Sequence, residues 1–183
     1  QIRNNGHANP EAIYHGKGPF TVDDILASPM VADPFHLLEC ATTSQGGCAV
    51  VMTLADRSAD AANAPIWLLG GGSDRIGPSY QTSPSWDRVG FHGDDTVAGY
   101  IGRRAAQRAF GQAGIKPADV DVCEFYDPFS FEIIRQFEAF GFCGDGEGGE
   151  FVMDGRIALS GEFPITTDGG LMSYSHAGSF PQQ

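Results

Sequence analysis

Three apolar runs of strand length recur along this 183-residue chain, and each gives way to a helix-patterned stretch. HLLECAT at 36–42 leads through a Gly-rich turn into the Ala-rich SQGGCAVVMTLADRSADAAN at 44–63. PIWLLGGGS at 65–73 ends in three glycines. After a polar loop at 77–93 comes DDTVAGYIGRRAAQRAFGQAGI at 94–115, with Val97, Ile101 and Ala105 on one face and Gly114 closing it. PADVDVCEFYDPF at 117–129 is the third run, and FSFEIIRQFEAFGF at 129–142 the helix that follows. The order β-α-β-α-β-α predicts an α/β fold: a mixed, mostly parallel sheet with helices on both faces. Ahead of it, residues 1–20 have the Asn, Gly, His and Pro content of a loop, and TVDDILAS at 21–28 reads as a short helix capped by Thr21 with Asp24 three residues on.

Such a fold constrains where ligands bind, because in open α/β sheets they collect at the carboxyl ends of the strands. The rule selects Ala41–Gly47, Gly70–Ser73 and Phe125–Phe129. A fourth stretch, GGLMSYSHAG at 169–178, sets Tyr174 and His176 among small residues, where backbone can approach a ligand beside two proton-carrying groups.

Charge narrows the partners. With 11 Lys+Arg against 23 Asp+Glu, the net charge of −12 argues against nucleic acid or an anionic membrane surface. Arg103, Arg104 and Arg108 form the one basic cluster. Cys40, Cys48, Cys123 and Cys143 show no CxxC spacing, so neither a zinc site nor a disulfide framework is expected, and no metal is expected elsewhere. No apolar run approaches the ~18 residues of a spanning helix. The polar start QIRNNGHANP is not a signal peptide, and the expected location is the cytoplasm.

The chemistry these stretches can carry is mostly acid–base. GGGS at 70–73 lacks the GxGxxG and GxxxxGK[ST] spacings of phosphate loops. His7, His15, His36 and His92 stand in dissimilar contexts, and no GxSxG or helix-entry cysteine offers a nucleophile. Tyr126 and Asp127 sit at a strand-to-helix corner, where Asp127 can cap the following helix; capping is the simpler account of Asp127. Tyr126 has no such role. An acid–base set of Tyr126, Tyr174 and His176 therefore survives, with Asp127 beside it.

Three collinear stretches give these residues a family resemblance. NPEAIYHGKGPFTVDDILASPMVADPFHLLECATTSQGGCAVVM resembles the passage from the loop domain of the thiolase superfamily into the first strand and helix of its C-terminal half. AGIKPADVDVCEFYDPFSFEI resembles the segment where thiolases carry Asn-Glu-Ala-Phe and sterol-carrier thiolases His-Asp-Cys-Phe; here it reads Tyr126-Asp127-Pro128-Phe129. GEFPITTDGGLMSYSHAG resembles the Gly-Gly loop that ends in Gly-His-Pro, here Ser175-His176-Ala177. With a tyrosine in place of the Asn or His, and His176 retained, the pattern is most similar to the thiolase-like lipid-transfer proteins that act as steroid side-chain CoA aldolases.

The resemblance implies a division into part of a loop or lid domain at 1–32, an incomplete C-terminal thiolase-like domain at 33–178 and a tail at 179–183. It implies retro-aldol cleavage of a steroid β-hydroxyacyl-CoA to a 17-keto steroid and propionyl-CoA, with coenzyme A present only as part of the substrate. Tyr126, Tyr174, His176 and Asp127 would be catalytic; Gly169, Gly170, Ser173, Phe129 and Lys17 would bind substrate. Arg3 and His7 are, with Lys17, the basic groups nearest to hand for the CoA phosphates. The implied partners are an OB-fold acyl-CoA-binding protein and a second copy in a thiolase-type homodimer. A non-catalytic acyl-CoA- or lipid-binding subunit and a degradative thiolase are the competing expectations.

Overall fold

The computed structural model describes residues 1–47, 49–60, 62–73 and 102–176. The core forms around helix α4, Ser130–Phe140, whose Ile133, Phe137 and Ala139 are buried. The i, i+4 spacing of Ile133 and Phe137 puts those two on one face. Against that face pack Phe125, Ile157, Phe163, Ile165, Met172 and Ile2, six residues drawn from both ends of the chain. Phenylalanines dominate the contact: Phe137 meets Phe125 edge-on at 4.9 Å and Phe151 at 4.8 Å between ring centroids. Fully burying a side chain of this size is worth about 1.5–3 kcal/mol, so this cluster is the main anchor of the described residues.

The other helices are α1 (Ile2–Ala8), α2 (Val22–Ala27), α3 (Arg103–Ala113), α5 (Gly148–Phe151) and α6 (Gly170–Ser173). Local rules account for the ends of several. Thr21 and Asp24 form a reciprocal capping box on α2, as its sequence predicts. Gly114 and Gly141 close α3 and α4 in the left-handed region, at φ 70° and 82°. The segment read as loop at 1–20 instead begins with α1, and the Ala-rich stretch at 44–63 shows only a 3₁₀ turn, Ala55–Asp60, among its described residues. Within 94–115, residues 103–113 are helical; Val97 and Ile101 lie outside the described residues, as do His92 and Cys48.

Of the expected sheet the described residues show only a part. Among the described residues the one paired sheet is antiparallel: β1 (Met30–Ala32) with β2 (Phe35–His36). HLLECAT contributes the end of β2, a 3₁₀ turn at Leu37–Glu39 and an isolated antiparallel bridge from Cys40 to Phe129. The third run opens with a 3₁₀ turn and makes one parallel bridge, Cys123 to Ile165. PIWLLGGGS forms no strand among the described residues, with Ile66 99% exposed. A strand is completed by its ladder partners, and an apolar run cannot supply them itself. Gly70 and Gly72 let this segment lie close along α3. A Cβ on Gly72 would fall 2.9 Å from Ala105 Cα, and the Gly71 N–H donates to Gln112 Oε1 at 2.9 Å.

Candidate active site

Two consecutive glycines start the site. Gly169 and Gly170 have φ of 109° and 56°, conformations that disfavour a side chain, and they turn the chain into the single turn of α6. The first amides of a helix lack intrahelical partners. Here the Asp127 carboxylate takes them, accepting from Leu171 N–H at 2.7 Å and Met172 N–H at 3.1 Å. Asp127 is thus a helix cap, as the sequence allows, but the helix it caps is α6; the N-cap of α4 is Phe129, with no side-chain cap bond. Asp127 is fully buried, and burial pushes its carboxyl up to about 7 despite the amide bonds, with Asp168 adding to the rise.

Helix α1 holds the same turn from the other side. Arg3 is 3% exposed, and its guanidinium donates to the carbonyls of Leu38 at 2.8 Å, Cys40 at 2.6 Å and Met172. Its carbon also lies 4.2 Å from the Tyr14 ring centre. Asn5 donates to the carbonyls of Ile165 at 3.0 Å and Thr166 at 3.1 Å. A Cβ on Gly169 would sit 2.6 Å from Gly6 Cα, so glycine on both sides is what lets α1 and α6 approach this closely. Arg3 is therefore spent on backbone carbonyls, which corrects its expected place among phosphate-binding groups. His7 is likewise engaged, its Nδ1 accepting the Gly18 N–H at 3.1 Å.

The candidate residues fall around this frame. Tyr126 is half-buried at the corner beside Asp127, and its carbonyl accepts from Gln136 Nε2 at 2.6 Å. Tyr174 and His176 follow α6 and are also half-buried. The Tyr174 carbonyl accepts Ile13 N–H at 3.1 Å and the Ser173 carbonyl accepts Tyr14 N–H at 3.1 Å, which seats residues 13–14 against the loop. Lys17 is exposed, with its ammonium 4.6 Å from the Tyr14 ring centre. Ser173 is fully buried with no hydrogen-bond partner for its hydroxyl, and a Cβ on Gly6 would collide with it. Phe129 is 48% exposed and packs at a tilt against Phe35, 5.7 Å between ring centroids.

Three of the four stretches expected to carry ligands thus meet. Ala41 N–H donates to the Pro128 carbonyl at 2.8 Å, Thr42 N–H to Leu171 at 3.3 Å and Ser44 N–H to His176 at 3.1 Å, so residues 41–44 run between the Tyr126 corner and the His176 loop. The fourth, Gly70–Ser73, lies along α3. Beside the capped turn opens a cavity of about 280 Å³ lined by Glu124, Phe125, Asp127, Thr166, Asp168, Gly170 and Leu171. Its acidic rim disfavours CoA phosphates. Sequence reading missed Arg3 and Asn5 as supports because IRNNGHA carries no apolar periodicity. Its one signal was a glycine in a short polar run, opposite the glycine pair it packs against.

Residues 91–181 match the family described as Thiolase C-terminal domain-like. Those residues carry a thiolase C-terminal-like domain. Over 92% of its length the chain is 34% identical to the 17-hydroxy-3-oxo-4-pregnene-20-carboxyl-CoA lyase of Mycobacterium tuberculosis, of which it covers 42%. It is 30% identical over 95% of its length to the steroid side-chain-cleaving aldolase of Thermomonospora curvata, covering 43%. An acetyl-CoA acetyltransferase of Methanothermobacter thermautotrophicus matches 94% of the chain at 32% identity, with 42% of the relative covered. Among solved structures, Ltp2-ChsH2(DUF35) aldolase superposes with a TM-score of 0.75 and 25% identity, over 96% of this chain and 44% of that one. The chain therefore spans less than half the length of these relatives, and its fold is that of the C-terminal part of thiolase-like proteins. No helix among the described residues is long and apolar enough to cross a membrane.

Proposed function

We propose that this chain supplies the tyrosine- and histidine-bearing part of an aldolase site that cleaves a steroid β-hydroxyacyl-CoA into a 17-keto steroid and propionyl-CoA. The observation that carries the proposal is the Asp127 bridge, which joins the Tyr126 corner to the amides of Leu171 and Met172 and so to the loop bearing Tyr174 and His176. The names of two relatives and of the superposed structure point to the same chemistry.

In a retro-aldol cleavage a base takes the β-hydroxyl proton, the carbon–carbon bond breaks, the hydroxyl carbon becomes a ketone, and the electron pair passes to the thioester as an enolate. An acid then protonates the α-carbon. His176 suits the enolate oxygen as a donor, and Tyr126 and Tyr174 divide base and acid between them. Coenzyme A enters as part of the substrate, Lys17 meeting its phosphates, and Gly169, Gly170 and Phe129 border the bound acyl chain. The same proposal includes a heteromeric partner with an OB-fold that binds acyl-CoA, a thiolase-type homodimer, and a cytoplasmic location.

A thiolase reaction needs a thiolate, and the described cysteines oppose one. Burial and Glu124 push the Cys123 thiol up to about 12, burial and three neighbouring carboxylates push Cys143 up to about 11, and burial raises Cys40. The test uses the full-length protein with its partner. Tyr126→Phe and Tyr174→Phe should each lower cleavage of a β-hydroxyacyl-CoA by on the order of 10²-fold, with acyl-CoA binding retained. Near wild-type cleavage by both variants would overturn the assignment in favour of a binding subunit, and CoA-dependent thiolysis of a β-ketoacyl-CoA would replace it with a thiolase.

A further inference from the structure

We infer that Ser44 is a positioning residue for His176, a role that rests on His176 belonging to the aldolase site. His176 lies beyond the last turn of α6, where no helical hydrogen bond fixes its backbone. Ser44 supplies the fixing from another part of the chain. Its Oγ accepts the His176 N–H at 2.6 Å, its own N–H donates to the His176 carbonyl at 3.1 Å, and its Oγ lies 2.8 Å from Ser175 Oγ, one hydroxyl donating to the other. Both backbone polar groups of His176 are therefore held by one residue. A backbone gripped at N–H and C=O has little freedom in φ and ψ, and the Cα–Cβ direction that aims the imidazole follows from them.

The clamp is itself anchored. Two and three residues upstream, the Thr42 and Ala41 amides bond to Leu171 in α6 and to Pro128 beside Asp127. Ser44 thus stands where the Tyr126 corner and the His176 loop are referred to a common segment. Small displacements matter at such a place, because a misplacement of about 1 Å can cost on the order of 10²-fold in rate.

The experiment is a mutant cycle in the full-length protein with its partner, assayed with a β-hydroxyacyl-CoA. Ser44→Ala should lower kcat by ~10-fold or more with KM nearly unchanged. Ser44→Thr, which keeps the hydroxyl, should restore most of that rate; Ser44→Cys, nearly isosteric but a weak acceptor, should resemble Ser44→Ala. In a His176→Ala background, Ser44→Ala should cost nothing further, because its effect passes through the imidazole. A merely structural role would give the same proportional loss in both backgrounds and would overturn the inference. If His176→Ala is inactive while Ser44→Ala and Ser44→Cys cleave at the wild-type rate, Ser44 is not a positioning residue and the aldolase site stands. If His176→Ala itself cleaves at the wild-type rate, the site assignment fails and the role of Ser44 fails with it.

Discussion

Arg3 and Met172 are joined by a charge-assisted hydrogen bond from the guanidinium in α1 to a carbonyl in the turn of α6. Because the same guanidinium also reaches Leu38 and Cys40, one side chain ties three separate segments together. Burial lowers its pKa from the ordinary arginine value, while Tyr14 and Asp127 act to raise it. Replacement by lysine keeps the charge but cannot reproduce the planar fork. Arg3→Lys should destabilise the full protein by about 1–3 kcal/mol, read as a lower urea midpoint at unchanged m-value. An unchanged midpoint would show that the carbonyls find other donors.

Gly170 is held by geometry on two counts. Its φ is 56°, and a Cβ there would fall 2.6 Å from Asp127 Oδ1. Gly170→Ala should cost ~1–2 kcal/mol from conformation alone, and more as the Asp127 bonds to Leu171 and Met172 are pushed apart. Gly170→Val should abolish cleavage. Amide exchange at Leu171 and Met172 in Gly170→Ala, measured against wild type, reports whether the cap is the part that gives way.

Asp127 predicts a pH dependence of definite sign. Its folded-state value of about 7 lies above the ordinary 3.8, so the native state binds more protons than the unfolded chain between those two values. Stability from this group is fully present below about 3.8, falls as pH rises toward 7, and is level above that. The slope is at most about 1.4 kcal/mol per pH unit. Urea midpoints at pH 5 and pH 8 should therefore differ less in Asp127→Asn than in wild type. An identical difference in both would mean that another group carries it.

The described thiols should be slow nucleophiles. With Cys123 and Cys143 raised to about 12 and about 11, little thiolate exists at neutral pH. Cys123→Ala and Cys143→Ala should each keep aldol cleavage within ~3-fold of wild type, a range set by packing rather than by lost chemistry. Site-resolved alkylation at pH 7.5, followed by mass spectrometry, gives the independent check. Rapid labelling of either would contradict its raised pKa.

What the sequence disclosed was local. Thr21 with Asp24, and Gly114, mark helix ends by rules that act within a few residues, and the structure follows them. What it withheld was supplied from far away. Helix α1 has poor intrinsic propensity, with two Asn, a Gly and a His in IRNNGHA, and it forms where Arg3 and Asn5 find carbonyls in residues 165–172. Asp127 was recognisable as a cap, yet which helix it serves depends on the turn that Gly169 and Gly170 make some forty residues later. Strand pairing is non-local in the same way, so three apolar runs indicated extended chain without indicating their neighbours. The Tyr126, Tyr174 and His176 stretches were visible because small residues and strand ends mark them; Ser44 lay in a selected loop, but its partner could not be read from order alone.

The bonds from Asn5 to Ile165 and Thr166 have a kinetic consequence. They join residues 160 and 161 positions apart, and closing so long a loop has an entropic cost that grows with the logarithm of its length. Contacts of such sequence separation slow folding. During synthesis, the turn that carries Tyr174 and His176 cannot be braced by α1 until the ribosome has released residues 165–172, so chemical competence arrives late, after the phenylalanine cluster around α4 has had material to condense on.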